Sequence, residues 1–180
     1  MVDFFVKGGF LMYPIALCSV LGLTIFIYKF FEYRKILNYI NRPLGEILES
    51  KPEILIPILT AINKGTSERE LSVIGTKCIR NVEKGLSWLG LISTVAPLLG
   101  LTGTVTGMIK TFIVIANATS VNPSMLAEGI WEALITTAAG LFVAVPVHIG
   151  HHYLEKQADE IAFNLKEVTI ALFEGQKNGI

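Results

Sequence analysis

Apolar residues in this chain fall into three long blocks rather than alternating with polar ones. No charge occurs from Gly8 to Tyr28, a run of 21 residues. At about 1.5 Å per residue, a helix of that length crosses a hydrocarbon core of about 30 Å. Phe10 to Phe30 is therefore the first predicted membrane span. The second charge-free block runs from Gly85 to Ile109, and the third from Ala133 to Leu154, interrupted only by His148, His151 and His152. A cleaved signal peptide competes for the first block, but Asp3 ahead of Lys7 and the length of the run predict a retained helix.

The polar segments between the blocks set the expected organisation. Lys29 to Lys84 carries ten of the fifteen basic residues, Thr111 to Ala127 carries none, and the tail adds Lys156, Lys166 and Lys177. The positive-inside rule then places the N-terminus outside and the long loop and C-terminus inside. The expected fold is all-α: a three-span transmembrane helical bundle whose long helices extend into the cytoplasm. Four segments follow: residues 1–31 (outward N-terminus and first span), 32–86 (cytoplasmic helical loop), 87–153 (second and third spans) and 154–180 (cytoplasmic C-terminal helix). Within the loop, Pro43, Pro52 and Pro57 break the chain into short pieces. Ser67-Glu68-Arg69-Glu70 then has the S-x-x-E form of a capping box ahead of Leu71, Ile74, Cys78 and Val82. A helix starting near Ser67 is expected to run on into the second span and bend at Pro97. Leu154, Ile161, Leu165, Val168 and Leu172 predict that the third span continues as an amphipathic helix.

Composition narrows the function. Hydrophobic residues make up 52% of the 180 and charged ones 17%, with a mean hydropathy of +0.57. Fifteen basic residues balance fifteen acidic ones, so there is no positive field to recruit nucleic acid. Cys18 and Cys78 stand too far apart in sequence and setting for a disulfide framework, and read as free thiols. The three histidines have metal-like spacing without a carboxylate or thiolate on the same face, so they read as an interfacial polar cluster, with no metal expected. Trp88 and Trp131 fit interface anchors. No phosphate loop, nucleophile elbow or zinc-protease motif is present, and neither enzyme chemistry nor a cofactor is expected.

The second span reads APLLGLTGTVTGMIKTF, with Ala96, Gly100, Gly103, Thr104, Gly107 and Thr111 at steps of three and four. The third, GIWEALITTAAGLFVAVP, carries a matching stripe at Ala133, Thr137, Gly140 and Ala144. Small residues let helix backbones approach closely, so these stripes are expected partners. A hairpin turning near Ser120 and Val121 puts residues whose numbers add to about 241 at one depth, with Thr104 opposite Thr137. Two readings of these threonines remain open. In one, each hydroxyl bonds its own helix backbone and the stripe serves packing alone. In the other, Thr104 and Thr137, with Thr102, Thr106 and Thr136 nearby, form a polar level able to hold water. Glu132 is likewise either an intramembrane acid facing a cavity or an interfacial acid in the first turn of its helix, as Glu128 is expected to be. Lys110 is expected to snorkel outward.

The sequences GLTGTVTGM at 100–108 and GIWEALITTAAGLFVAVP at 129–146 resemble the ExbB/TolQ family, the larger inner-membrane subunit of bacterial proton-driven motors, with MotA a more distant relative. The matched positions include Ala96, Pro97, Gly100, Gly103, Thr104, Val105 and Gly107 in the second span. In the third they include Gly129, Glu132, Ala133, Thr137, Gly140, Ala144 and Pro146. Thr102 and Thr106 depart from it, standing where the family often has Phe and Trp. The resemblance implies a homo-oligomer, a pentamer, around two copies of an ExbD/TolR-type single-span subunit bearing an intramembrane aspartate. It further implies a TonB- or TolA-like protein as an additional partner and the bacterial inner membrane as the location. Thr104, Thr137 and Glu132 take the ion-pathway positions in this reading, and Pro97, Gly100, Gly103, Gly107, Gly140 and Pro146 serve helix packing. A motility-type stator subunit of the same superfamily and a packing-only membrane scaffold are the alternatives. H⁺ is the simpler choice of ion over Na⁺.

Overall fold

A computed structural model describes residues 8–40, 42, 45–47, 52–118 and 122–177, apart from the side chains of Met125, Gln176 and Lys177. Asp3, Lys7, Pro43 and the expected turn at Ser120 and Val121 lie outside the described residues. Among the described residues the long helices are, in order, α1 (Met12–Ile40), α2 (Ile56–Asn63), α3 (Glu68–Glu83), α4 (Leu86–Asn117) and α5 (Pro123–Lys177). No strand occurs among the described residues, and three helical stretches are long and apolar enough to cross a membrane. The protein is thus an all-α, multi-pass membrane protein.

Local chemistry accounts for the boundaries. The N–H and Oγ of Ser124 both donate to Asn122 Oδ1, at 3.2 and 3.0 Å, and Pro123 opens α5, a cap followed by a residue with no N–H to satisfy. α5 then runs for 55 residues, so the third span does continue as one helix, with Leu154, Ile161 and Leu165 on its buried side. The cap predicted at Ser67 is present: Glu70 N–H donates to Ser67 Oγ at 3.4 Å, and the hydroxyl donates to the Glu70 carboxylate at 3.3 Å. Ser67→Ala is expected to cost about 1 kcal/mol. Thermal denaturation of the purified variant checks this, and an unchanged midpoint would mean that the cap contributes nothing.

One expectation is corrected. The helix starting at Ser67 does not run unbroken into the second span; α3 ends at Glu83 and α4 begins at Leu86. Lys84 takes an extended ψ of 125° and Gly85 a φ of +99°, a conformation open to glycine at little cost and strained for other residues. Pro97, the expected bend, lies within α4, which is helical on both sides of it.

The chain divides into two compact units. One comprises Met1–Phe26 and Trp88–His151, which contribute the first part of α1, most of α4 and the first half of α5. Its interior combines Met12, Ile15, Leu89 and Ile92 with a run of small residues, Ala96, Gly100, Gly103, Gly107 and Thr111 of α4 and Ala133, Thr136, Gly140 and Ala144 of α5, all buried. The other comprises Ile27–Ser87 and His152–Ile180 and has a core of larger side chains, Tyr33 with Leu55, Ile58, Leu71, Val82, Leu154, Ile161 and Leu165.

Candidate ion-path site in the α4–α5 hairpin

The small-residue stripes of α4 and α5 face each other, as the spacing predicts. A Cβ placed on Gly100 would meet Thr136 O at 2.9 Å and Thr137 Cα at 3.0 Å, one on Gly107 would meet Ala133 Cβ at 3.1 Å, and Thr111 lies against Gly129. Each pairing falls within about one helical turn of the predicted register. At Gly140 a Cβ would stand 2.6 Å from Ala96 O and 3.2 Å from Gly100 Cα, so the two backbones touch there. The structure therefore brings Gly100, Gly103, Gly107 and Gly140 together. Pro97 is only half-buried and Pro146 is exposed, and neither belongs to the buried stripe.

Most of the threonine hydroxyls bond the backbone of their own helix. Thr102 Oγ1 donates to Leu98 O at 2.8 Å, Thr104 Oγ1 to Leu101 O at 2.6 Å and Thr106 Oγ1 to Thr102 O at 3.0 Å. Thr136, 1% exposed, seats its side chain against Gly103 and donates to Ala133 O at 2.8 Å. All these bonds stay within one helix. Thr137 differs, because its hydroxyl crosses the hairpin and donates to Gly100 O at 3.0 Å. Thr104 stands one turn further along α4. Thr104 and Thr137 are both half-buried, on the flank of the closed stripe rather than inside it. Their protons are committed to carbonyls, so each offers a neighbour only its acceptor lone pairs.

Glu132 is not alone. Lys110 Nζ lies 3.0 Å from Glu132 Oε1, pairing α4 with α5; the lysine side chain is 63% exposed and the carboxylate 27%. The same oxygen lies over Gly9, the residue at φ +67° that leads into α1. Lys110, expected to snorkel outward, is exposed and pairs with an acid. The signal was available, since the predicted register, with paired numbers adding to about 241, also sets Lys110 level with Glu132. Glu128, one turn earlier on α5, is exposed. His148 is exposed, His151 lies against Gly90, and His152 Nδ1 is 3.7 Å from Glu155 Oε2. No group of three metal-ligating side chains forms among the described residues.

Three apolar helical stretches and a hairpin closed by small residues define a multi-pass membrane protein of the helical-bundle class. Its sequence assigns it further: the chain belongs to the MotA/TolQ/ExbB proton channel family, whose family model matches residues 41–167. An ExbB-like biopolymer transport protein of Synechocystis is 31% identical over 169 residues, covering 81% of this chain and 66% of the relative. The Tol-Pal system protein TolQ of Haemophilus influenzae is 36% identical over 101 residues, covering 56% of this chain and 44% of the relative. The biopolymer transport protein exbB1 of Vibrio cholerae is 46% identical over 83 residues, covering 46% and 36%. The chain thus spans two thirds or less of the length of these relatives.

Proposed function

We propose that this protein is the stator subunit of a proton-driven machine in the bacterial inner membrane, with Thr104 and Thr137 on the inner wall of a homo-oligomer and Glu132 at its outer mouth. In this reading the N-terminus faces outward and the C-terminus the cytoplasm. Residues 32–86 and 154–180 form the cytoplasmic part, and residues 87–153 the conducting hairpin. Five subunits surround a pair of ExbD/TolR-type single-span subunits, and the work passes to a TonB- or TolA-like protein in an envelope transport or Tol-Pal system. No enzymatic step is involved.

The observation that carries the proposal is the pair of half-buried hydroxyls flanking the closed α4–α5 stripe, with both protons committed to backbone carbonyls. A partner's carboxyl group facing them meets acceptors only. It is favoured there in the protonated form, which donates, and disfavoured as carboxylate. A proton arriving from outside therefore lets the acid settle against the threonines, and loss of the proton toward the cytoplasm drives it away. Each proton crossing 100 mV supplies about 2.3 kcal/mol, enough to bias the sliding of a helix over a smooth small-residue surface.

Proton flux in liposomes tests this, using the full chain with and without the single-span partner. Flux is expected only with the partner, and Thr104→Val plus Thr137→Val is expected to lower it by about tenfold, the worth of one hydrogen bond to a carboxyl group. Undiminished flux in the double variant would remove the threonines from the path. The hydroxyls of Thr102, Thr104, Thr106 and Thr136 all bond within their own helices, which favours the packing-only scaffold as a second reading. A folded assembly that conducts nothing with any partner would support it.

A further inference from the structure

The Lys110–Glu132 pair bears on which ion the mouth admits. A half-buried carboxylate facing a water-filled vestibule is an oxygen ligand of the kind hard metal cations seek. Here its Oε1 is already occupied by the Lys110 ammonium at 3.0 Å, from the other helix of the hairpin. The same oxygen rests on the backbone at Gly9, which leaves a metal ion little room on that side. Among the described residues, Glu128 one turn away on α5 is exposed, and no other charged residue lies on α4 from Leu86 to Asn117. The local net charge of the pair is zero. A neutral pair hinders little the passage of a proton along hydrogen bonds, whereas a sodium ion must exchange water for charged oxygen ligands.

We infer that Lys110 is the positioning and ion-selectivity residue of the mouth: by holding the Glu132 carboxylate as an ion pair, it keeps that carboxylate from serving as a metal-cation site and so reserves the path for protons. The inference rests on Glu132 lying at the path, as proposed above.

Two measurements on the full chain test it. The first is the sodium NMR linewidth of NaCl solutions on adding the purified subunit in nanodiscs, which needs no partner and no flux. Wild type and Lys110→Arg are expected to leave the line narrow. Lys110→Gln is expected to broaden it, with Na⁺ affinity raised by up to about fivefold, the upper range for a partly exposed ion pair. Lys110→Gln combined with Glu132→Gln is expected to lose the broadening. Lys110→Met serves as a second neutral variant should the glutamine form fail to fold. Equal linewidths for wild type and both neutral variants would overturn the inference. The second is proton flux with the single-span partner, exchanging external choline for Na⁺. Wild type and Lys110→Arg are expected to be indifferent, while Lys110→Gln slows in Na⁺. Flux that is equally indifferent in Lys110→Gln would also overturn it. If wild type conducts nothing, the proton-path reading fails, yet the linewidths still decide whether Lys110 shields Glu132 from Na⁺.

Discussion

Gly140→Val is expected to separate α4 from α5 and leave little assembled protein, although the change adds only an isopropyl group. The atoms its side chain would meet are Ala96 O at 2.6 Å and Gly100 Cα and N at 3.2 and 3.3 Å, all backbone, and none of them can swing aside as a side chain can. Relief requires moving one helix off the other. That movement also breaks the bond from Thr137 Oγ1 to Gly100 O, because Gly100 is the residue being displaced. Overpacking costs about 1–3 kcal/mol even in cores that adjust. In a bilayer the cost rises, since separated helices lose their packing without gaining a hydrophobic compensation. Gly75→Ala makes the contrasting control. Nothing lies within 4 Å of a Cβ there, and the substitution within α3 is expected to stabilise by about 0.5–1 kcal/mol through the better helix propensity of alanine. Thermal denaturation with size-exclusion chromatography in detergent separates the two. A Gly140→Val variant that keeps the wild-type midpoint and elution volume would show that the close approach is dispensable.

That contrast also shows what the sequence made legible. The hairpin was readable because small residues at steps of three and four have one physical use between apolar helices, and because an antiparallel pair fixes depth by arithmetic alone. The cap at Ser67 was readable for a similar reason, its spacing giving hydrogen bonds that are local. What escaped depends on tertiary partners. The pairing of Lys110 with Glu132 is one such feature, because the spacing along each helix gives each charge its own place and not its partner. Thr136, not Thr137, fills the groove at Gly103, a difference of 100° around the helix that spacing with a tolerance of one residue does not resolve. The break at Lys84 and Gly85 was hidden because a lone glycine is tolerated within helices. Its φ of +99° is one that glycine adopts at little cost.

The residue that joins this break to α1 is Lys29, and it carries the second large expected effect. Charge counting treats it as one of ten basic residues marking the cytoplasmic side, yet it is only 5% exposed. Its ammonium donates to Val82 O at 3.0 Å and lies 2.7 Å from Glu32 Oε2, an ion pair in which that oxygen accepts no aligned hydrogen bond. The rings of Tyr28 and Tyr33 flank it at 5.9 and 5.4 Å. Tyr33 OH donates to the same Val82 carbonyl at 2.7 Å. Val82 is the penultimate residue of α3, where helical carbonyls have no N–H partner within their own helix. A positive charge at that end also complements the helix dipole. Two donors from α1 thus satisfy the end of α3 just before the chain turns at Gly85. Lys29→Met keeps most of the buried stem and removes the charge, so its cost is that of a charge-assisted bond, about 1.5–3 kcal/mol. Tyr33→Phe removes one neutral donor from a carbonyl that keeps the other and is expected to cost about 0.5–1.5 kcal/mol. The double variant leaves Val82 O buried with neither donor, so its loss is expected to exceed the sum of the single losses, the signature of two groups sharing one acceptor. Denaturation midpoints of the four proteins measure this, and strict additivity, or a Tyr33→Phe loss larger than that of Lys29→Met, would show that the ammonium does not hold the end of α3.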